Sequence, residues 1–205
     1  MHAPMKANLL VPVTLATSLL AACSSPRPLA TGVHGSPREA SVRTLERSAA
    51  PIVANWKERL EQPYLYVERT GDYRELGASM RALLSEAAEL GLESRGAPFA
   101  LFYDDPGRTP AEELRARVCL PVGERPARIG RLRYDVLPRA MVAYAEVVGP
   151  YPELPRSYPV LFTYLAELGW RAGAPIREIY LTNPSEVADL GELRAEVQIP
   201  WSASE

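Results

Sequence analysis

The sequence predicts an α+β fold: a duplicated β-α-β-β module, its antiparallel sheet carrying two helices on one face and a pseudo-twofold groove on the other. Three observations lead there. Much of the 205-residue chain repeats itself. Each copy sets aromatic and β-branched runs around one stretch with helical apolar spacing. Glycines punctuate both copies at matching points.

The repeat comes first, because missing one misreads the whole fold. A shift of 78 carries Gly71, Tyr73, Glu75 and Leu76 onto Gly149, Tyr151, Glu153 and Leu154. It also carries Ala88-Glu89-Leu90-Gly91 onto Ala166-Glu167-Leu168-Gly169, and Tyr66 and Glu68 onto Tyr144 and Glu146. One residue of slippage aligns Ala97-Pro98 with Ala174-Pro175 and Tyr103 with Tyr180, and Pro106 returns to Pro184. One residue is then inserted, and Glu113-Leu114-Arg115-Ala116, Val118 and Pro121 meet Glu192-Leu193-Arg194-Ala195, Val197 and Pro200. The repeats span 63–122 and 132–201, within a domain at 63–205.

Each copy has the same elements. A first strand runs Tyr64–Arg69 or Ala140–Val148, broken by Gly71 or Gly149. A helix follows at Tyr73–Leu90 or Pro155–Leu168, with Gly91 or Gly169 as left-handed cap. In the first, Leu76, Met80, Leu83, Leu84 and Ala87 share one face. Next come a strand at Phe99–Tyr103 or Ile176–Leu181, a proline-containing loop, and a strand at Leu114–Leu120 or Leu193–Ile199. Ahead of the repeats, 51–62 predicts a short helix. Pro51 suits a first helical position, and Ile52, Trp56 and Leu60 fall one turn apart.

The N-terminus reads as an export signal over 1–22. Lys6 gives a basic start, and Ala7–Leu20 is uncharged and too short for a comfortable span of ~20 apolar residues. The following segment to residue 50 is a tether, since Ser24–Ser41 is rich in Ser, Pro, Gly and Ala and cannot bury enough apolar surface to fold. Composition then excludes several functions. The net charge is −2, so no basic excess argues for nucleic acid. The two histidines, His2 and His34, both precede the domain, so it holds no His-based triad and no His-ligated metal. No metal site and no cofactor are expected.

The candidate site lies where the repeats differ. In the slipped alignment Glu178 stands where the first copy has Leu101, and strand alternation puts Ile176, Glu178 and Tyr180 on one face. Ile179 and Leu181 are then expected under the helix, leaving Glu178 on the uncovered face. A desolvated Glu178 carboxyl should titrate high unless a cation or hydrogen-bond donors pair with it. Such a group is a cation receptor or a general base, or it pairs with Arg177, Arg194 or another local arginine. Phe99, Leu101, Tyr103, Tyr66 and Tyr144 are expected to form the wall with Ile176 and Tyr180. Trp170 reads as a core plug, and Cys119 lacks the base a nucleophile needs.

Two resemblances add to this. Leu20-Ala21-Ala22-Cys23 resembles the lipobox of bacterial lipoproteins, which implies an acylated Cys23 as the mature N-terminus. Two or more chains anchor stably, each buried methylene adding ~0.8 kcal/mol. If Cys23 is acylated, only Cys119 keeps a thiol, which excludes an intrachain disulfide. Ser24, by resemblance to diderm lipoproteins, is compatible with the outer membrane, facing the periplasm. The second resemblance rests on Tyr144 to Tyr151, Leu168-Gly169-Trp170, the stretch Ile176-Arg177-Glu178-Ile179-Tyr180-Leu181-Thr182-Asn183-Pro184, and Glu196 to Trp201. These resemble the GyrI-like small-molecule-binding domain, related to effector-binding domains of AraC- and MerR-type multidrug regulators and to the SOUL-like fold. The resemblance implies two β-α-β-β modules around a groove, and a glutamate receiving lipophilic cations, a role falling on Glu178. Some relatives are implied to hydrolyse cyclopropane-bearing genotoxins with the equivalent glutamate. The chain departs from the regulators in having no helix-turn-helix segment.

The expectation is a membrane-anchored envelope protein binding a small lipophilic molecule, cationic ones included. The alternatives are a hydrolase of electrophilic small molecules using Glu178, and an envelope scaffold meeting a protein partner without a ligand. The partners expected are a small organic molecule and, through the anchor, the membrane, but no nucleic acid.

Overall fold

The computed structural model describes residues 51–203. The expected export signal, lipidated Cys23 and tether lie outside them. The elements are β1 (Ala54–Arg59), β2 (Gln62–Thr70), α1 (Leu76–Glu89), β3 (Phe99–Phe102), β4 (Arg115–Pro121), β5 (Arg133–Leu137), β6 (Ala140–Val148), α2 (Ser157–Glu167), β7 (Trp170–Ala172), β8 (Ile176–Tyr180) and β9 (Arg194–Ala203). They form a curled antiparallel sheet in the order β1-β6-β9-β8-β3-β4-β2-β5, with β7 paired to β9 off this path.

The order is symmetric about the β3–β8 contact. Module one is β2-α1-β3-β4, module two is β6-α2-β8-β9, and β5 and β1 flank them equivalently. Gly71 and Gly149 have φ of 131° and 134°, and their N–H groups donate to Leu114 and Leu193 carbonyls at 2.8 Å in both cases. Only glycine adopts this backbone readily. A 3-10 turn leads into each helix, at Tyr73–Glu75 and Tyr151–Arg156. Tyr73 OH donates to the carbonyls of Asp104 and Arg115, and Tyr151 OH to those of Thr182 and Arg194. Each helix ends on a left-handed glycine, Gly91 or Gly169, as the spacing predicts.

Each helix lays its apolar stripe on the same sheet face. Leu76, Leu83 and Ala87 pack on Leu65, Ala116, Val118 and Leu120. Leu154, Leu161 and Leu165 pack on Ala143, Ala145, Val147, Ala195, Val197 and Ile199. Burying one such leucine stabilises by about 1.5–3 kcal/mol, so these stripes hold the helices in place. The opposite face carries a third cluster: Tyr64, Tyr66, Phe99, Leu101, Cys119 and Leu137, with Tyr103 and Ile179 against it.

The predicted helix over 51–62 is instead strand β1, paired to β6 from Ala54↔Ala145 to Arg59↔Ala140. The physical reason is alternation: Ala54 packs with α2, while Lys57 and Arg59 turn to the other face, and β6 offers a free edge. Leu60, expected beside Trp56, lies past the strand and is exposed.

Candidate functional site

The β8 register decides the site. Phe99 opposes Cys119 across β3–β4, and Arg177 opposes Gln198 across β8–β9. Cys119 opposes Tyr66, and Gln198 opposes Tyr144. Arg177 is therefore the counterpart of Phe99, Glu178 of Ala100, and Tyr180 of Phe102. Matching ring pairs agree: Tyr73–Phe102 and Tyr151–Tyr180 both have centroids 4.9 Å apart. The slipped alignment is wrong by one residue here. In a strand one residue inverts the face.

Glu178 thus faces α2, not the helix-free side. It is 7% exposed. Tyr158, in the first turn of α2, donates its hydroxyl to Glu178 Oε1 at 2.5 Å, and Tyr180 donates to Oε2 at 3.1 Å. Among the described residues no cation pairs with it. Arg177 points through the sheet to the other face, and Arg194 binds Glu146 at 2.7 Å. Burial pushes the Glu178 carboxyl above its ordinary range, and the two phenol donors offset part of that. The same burial, together with the neighbouring carboxylate, raises the Tyr158 and Tyr180 hydroxyls, which stay protonated donors at neutral pH.

The eight residues predicted to form one wall divide between two faces. Glu178, Tyr180 and Ile176 lie on the helix side, Ile176 and Tyr180 against Leu161 and its neighbours. Phe99, Leu101, Tyr103 and Tyr66 lie on the helix-free side with Ile179, which had been expected under the helix. Tyr144 shares that side, its ring beneath Lys57 Nζ at 4.1 Å. Trp170 stacks on Trp201 at 3.5 Å and meets Trp56 and Tyr164 edge-on. Tyr158 is not among the residues expected from the sequence. An unslipped shift of 78 would have found it, because it sets Tyr158 on Met80 and Glu178 on Ala100 together.

The buried carboxylate can receive a cation or hydrogen-bond donors, and the aromatic rings around it offer apolar contact. Fold and site together define a small-molecule-binding domain of the duplicated β-α-β-β class. The chain belongs to the family described as GyrI-like small molecule binding domain, which matches residues 56–202. Among solved structures, it resembles the C-terminal domain of EcmrR (TM-score 0.64, 19% identity, 75% of this chain and 99% of that one). It also resembles EcmrR in a DNA complex (TM-score 0.67, 20% identity, 75% of this chain), where it spans only 58% of that longer protein. A third is SAV2435 bound to tetraphenylphosphonium (TM-score 0.56, 12% identity, 73% and 94% covered). At these identities the likeness shows the fold. A search of curated proteins gives no match.

Proposed function

We propose that this protein is a lipid-anchored envelope protein that binds lipophilic organic cations on Glu178, beneath α2. The observation carrying the reading is the buried, unpaired Glu178 carboxylate held by two phenols. A buried charge is normally neutralised by a partner or by protonation. An aromatic cation would supply the missing charge and meet the Tyr158, Tyr180 and Tyr151 rings, whose faces attract cations. SAV2435, of the same fold, was solved with such a cation, which supports the choice. Because Tyr158 sits on α2 and covers Glu178, a ligand reaches the carboxylate by displacing the first turn of that helix.

A binder needs walls and a charge, and both are here. The hydrolase alternative needs Glu178 to act as a base toward water, and the hydrogen bonds from Tyr158 and Tyr180 lower its basicity. The anchor rests on the Leu20-Ala21-Ala22-Cys23 motif, with outer-membrane placement facing the periplasm suggested by Ser24. Cys23→Ser should move the protein out of the membrane fraction, and an unchanged membrane pool would reject the anchor.

The site is tested by titrating wild type and Glu178→Gln with tetraphenylphosphonium and neutral triphenylphosphine oxide. A charge-assisted contact contributes ~1.5–3 kcal/mol, so the variant should lose about ten- to hundredfold in affinity for the cation alone. Equal losses for both probes, or no binding by wild type, would reject cation recognition.

A further inference from the structure

The helix-free face carries a second charge imbalance, of opposite sign and on different residues. Arg177 is 5% exposed and Arg59 is 9% exposed. Neither forms an ion pair among the described residues. The Arg177 side chain makes no hydrogen bond among them, and its Nε is enclosed without a partner. Arg59 donates Nη2 to the Pro138 carbonyl at 2.7 Å, and its own Nε is enclosed and unpartnered. Beside them Gln198, 3% exposed, gives its Nε2 to Glu196 at 2.5 Å and leaves Oε1 without a donor.

The nearby acid is already used. Glu196 receives Lys57 at 2.7 Å as well as Gln198. On the module-one half of this face the cation is fully answered: Arg117 meets Asp135 at 2.8 Å, Glu68 at 3.3 Å and Tyr64 OH at 2.9 Å. Arg177 rests on the Phe99 ring, 3.9 Å from its guanidinium carbon, and Glu196 acts on it without forming an ion pair. A cation–π contact gives about 0.5–2 kcal/mol, against several kcal/mol to take one ion out of water. Deprotonation is no escape. Burial first, and then the charge of Arg59, hold Arg177 down to about 10, which leaves it charged at neutral pH.

We propose that this face is a second binding site, for a small organic acid whose carboxylate or phosphate sits between Arg177 and Arg59. Two guanidiniums present the forked donors that match an oxyanion. Gln198 Oε1 accepts a hydroxyl or N–H on the same ligand. The partly exposed Tyr103, Tyr144 and Ile179 on this face suit an apolar or aromatic body. The site does not depend on Glu178, which faces the other way. The molecule would then hold a cation site under α2 and an anion site on the bare face of the same β8 strand, one residue apart.

The test uses the full chain, with phenyl phosphate and benzoate as probes, benzyl alcohol as the neutral body and inorganic phosphate as the bare anion. At least one aromatic anion should bind wild type and raise its Tm. Benzyl alcohol should bind at least tenfold more weakly. Arg177→Met and Arg59→Gln should each lose about tenfold or more for the anion. Glu178→Gln should bind it as wild type does, which separates this proposal from the cation site. Should Arg177→Met fail to fold, Arg59→Gln, on the edge strand, carries the test. No binding by any anion, equal binding of the neutral body, or undiminished binding by the folded arginine variants would overturn the proposal. Binding of inorganic phosphate as tight as phenyl phosphate would overturn the apolar-body half of it.

Discussion

Module one and module two share a backbone plan and differ at one small cluster. Between α1 and the sheet meet Met80, Ala100 and Phe102, and between α2 and the sheet the equivalent places hold Tyr158, Glu178 and Tyr180. Three apolar side chains have become a carboxylate with its two donors. The framework around them is unchanged: the glycine turns, the tyrosine that ties each helix start to the loops, and the leucine stripe. One copy therefore keeps an apolar contact between helix and sheet, and the other carries the polar substitutions. The helix-free face shows a related contrast, with Arg117–Asp135 answered in module two by Glu196–Lys57, the charges exchanged.

The comparison breaks most visibly if a carboxylate alone is moved across. Ala100→Glu should destabilise by on the order of 3–5 kcal/mol, because it buries a charge beside Met80 and Phe102 with no donor. Adding Met80→Tyr and Phe102→Tyr should recover about 1.5–3 kcal/mol per restored hydrogen bond. Chemical denaturation of the single and triple variants decides this. A single variant as stable as wild type would show that module one is not the dry equivalent.

The shared backbone can be sharpened at the turns. Gly71→Ala and Gly149→Ala should each cost about 1–3 kcal/mol, since both sit at positive φ with ordinary room for a methyl group. The two costs should agree closely in urea melts. Unequal costs would mean that the modules use their turns differently.

The smallest effect is expected from Glu178→Gln in the absence of ligand. Because the folded carboxyl titrates above its ordinary value, the folded state holds a proton that the unfolded chain has released. Stability therefore falls as pH rises through that window. At neutral pH the amide removes that charge and keeps one acceptor for Tyr158. Tm should rise by roughly 2–4 °C, corresponding to about 1 kcal/mol. The gain should vanish as pH drops to the ordinary glutamate range, and a gain independent of pH would point to packing instead of charge.

Most of this frame was legible in the residues. The offset between Gly71 and Gly149, the cap glycines and the leucine spacing predict both modules and the α+β sheet. The site was half legible. Glu178 stood out because its charge has no counterpart in the sister strand. Its face did not, because the Ala97-Pro98 and Ala174-Pro175 pairs invite a one-residue slip, and parity in a strand has no tolerance for one. Turn residues align by chemistry, whereas register is set by hydrogen bonds between strands distant in sequence. For the same reason β1 was read as a helix: its pairing with β6 is non-local, and Ile52, Trp56 and Leu60 imitate a helical turn. The unpaired arginines were hidden too, since partnership is a property of the folded face.

The proposed cation site depends on the charge of Glu178. It is tested most directly by calorimetric titration of the full chain with tetraphenylphosphonium across pH. Affinity should fall as pH drops through a single titration above the ordinary glutamate value of 4.5, and the profile should be flat in Glu178→Gln. The same pH dependence in both proteins, or none in wild type, would contradict it.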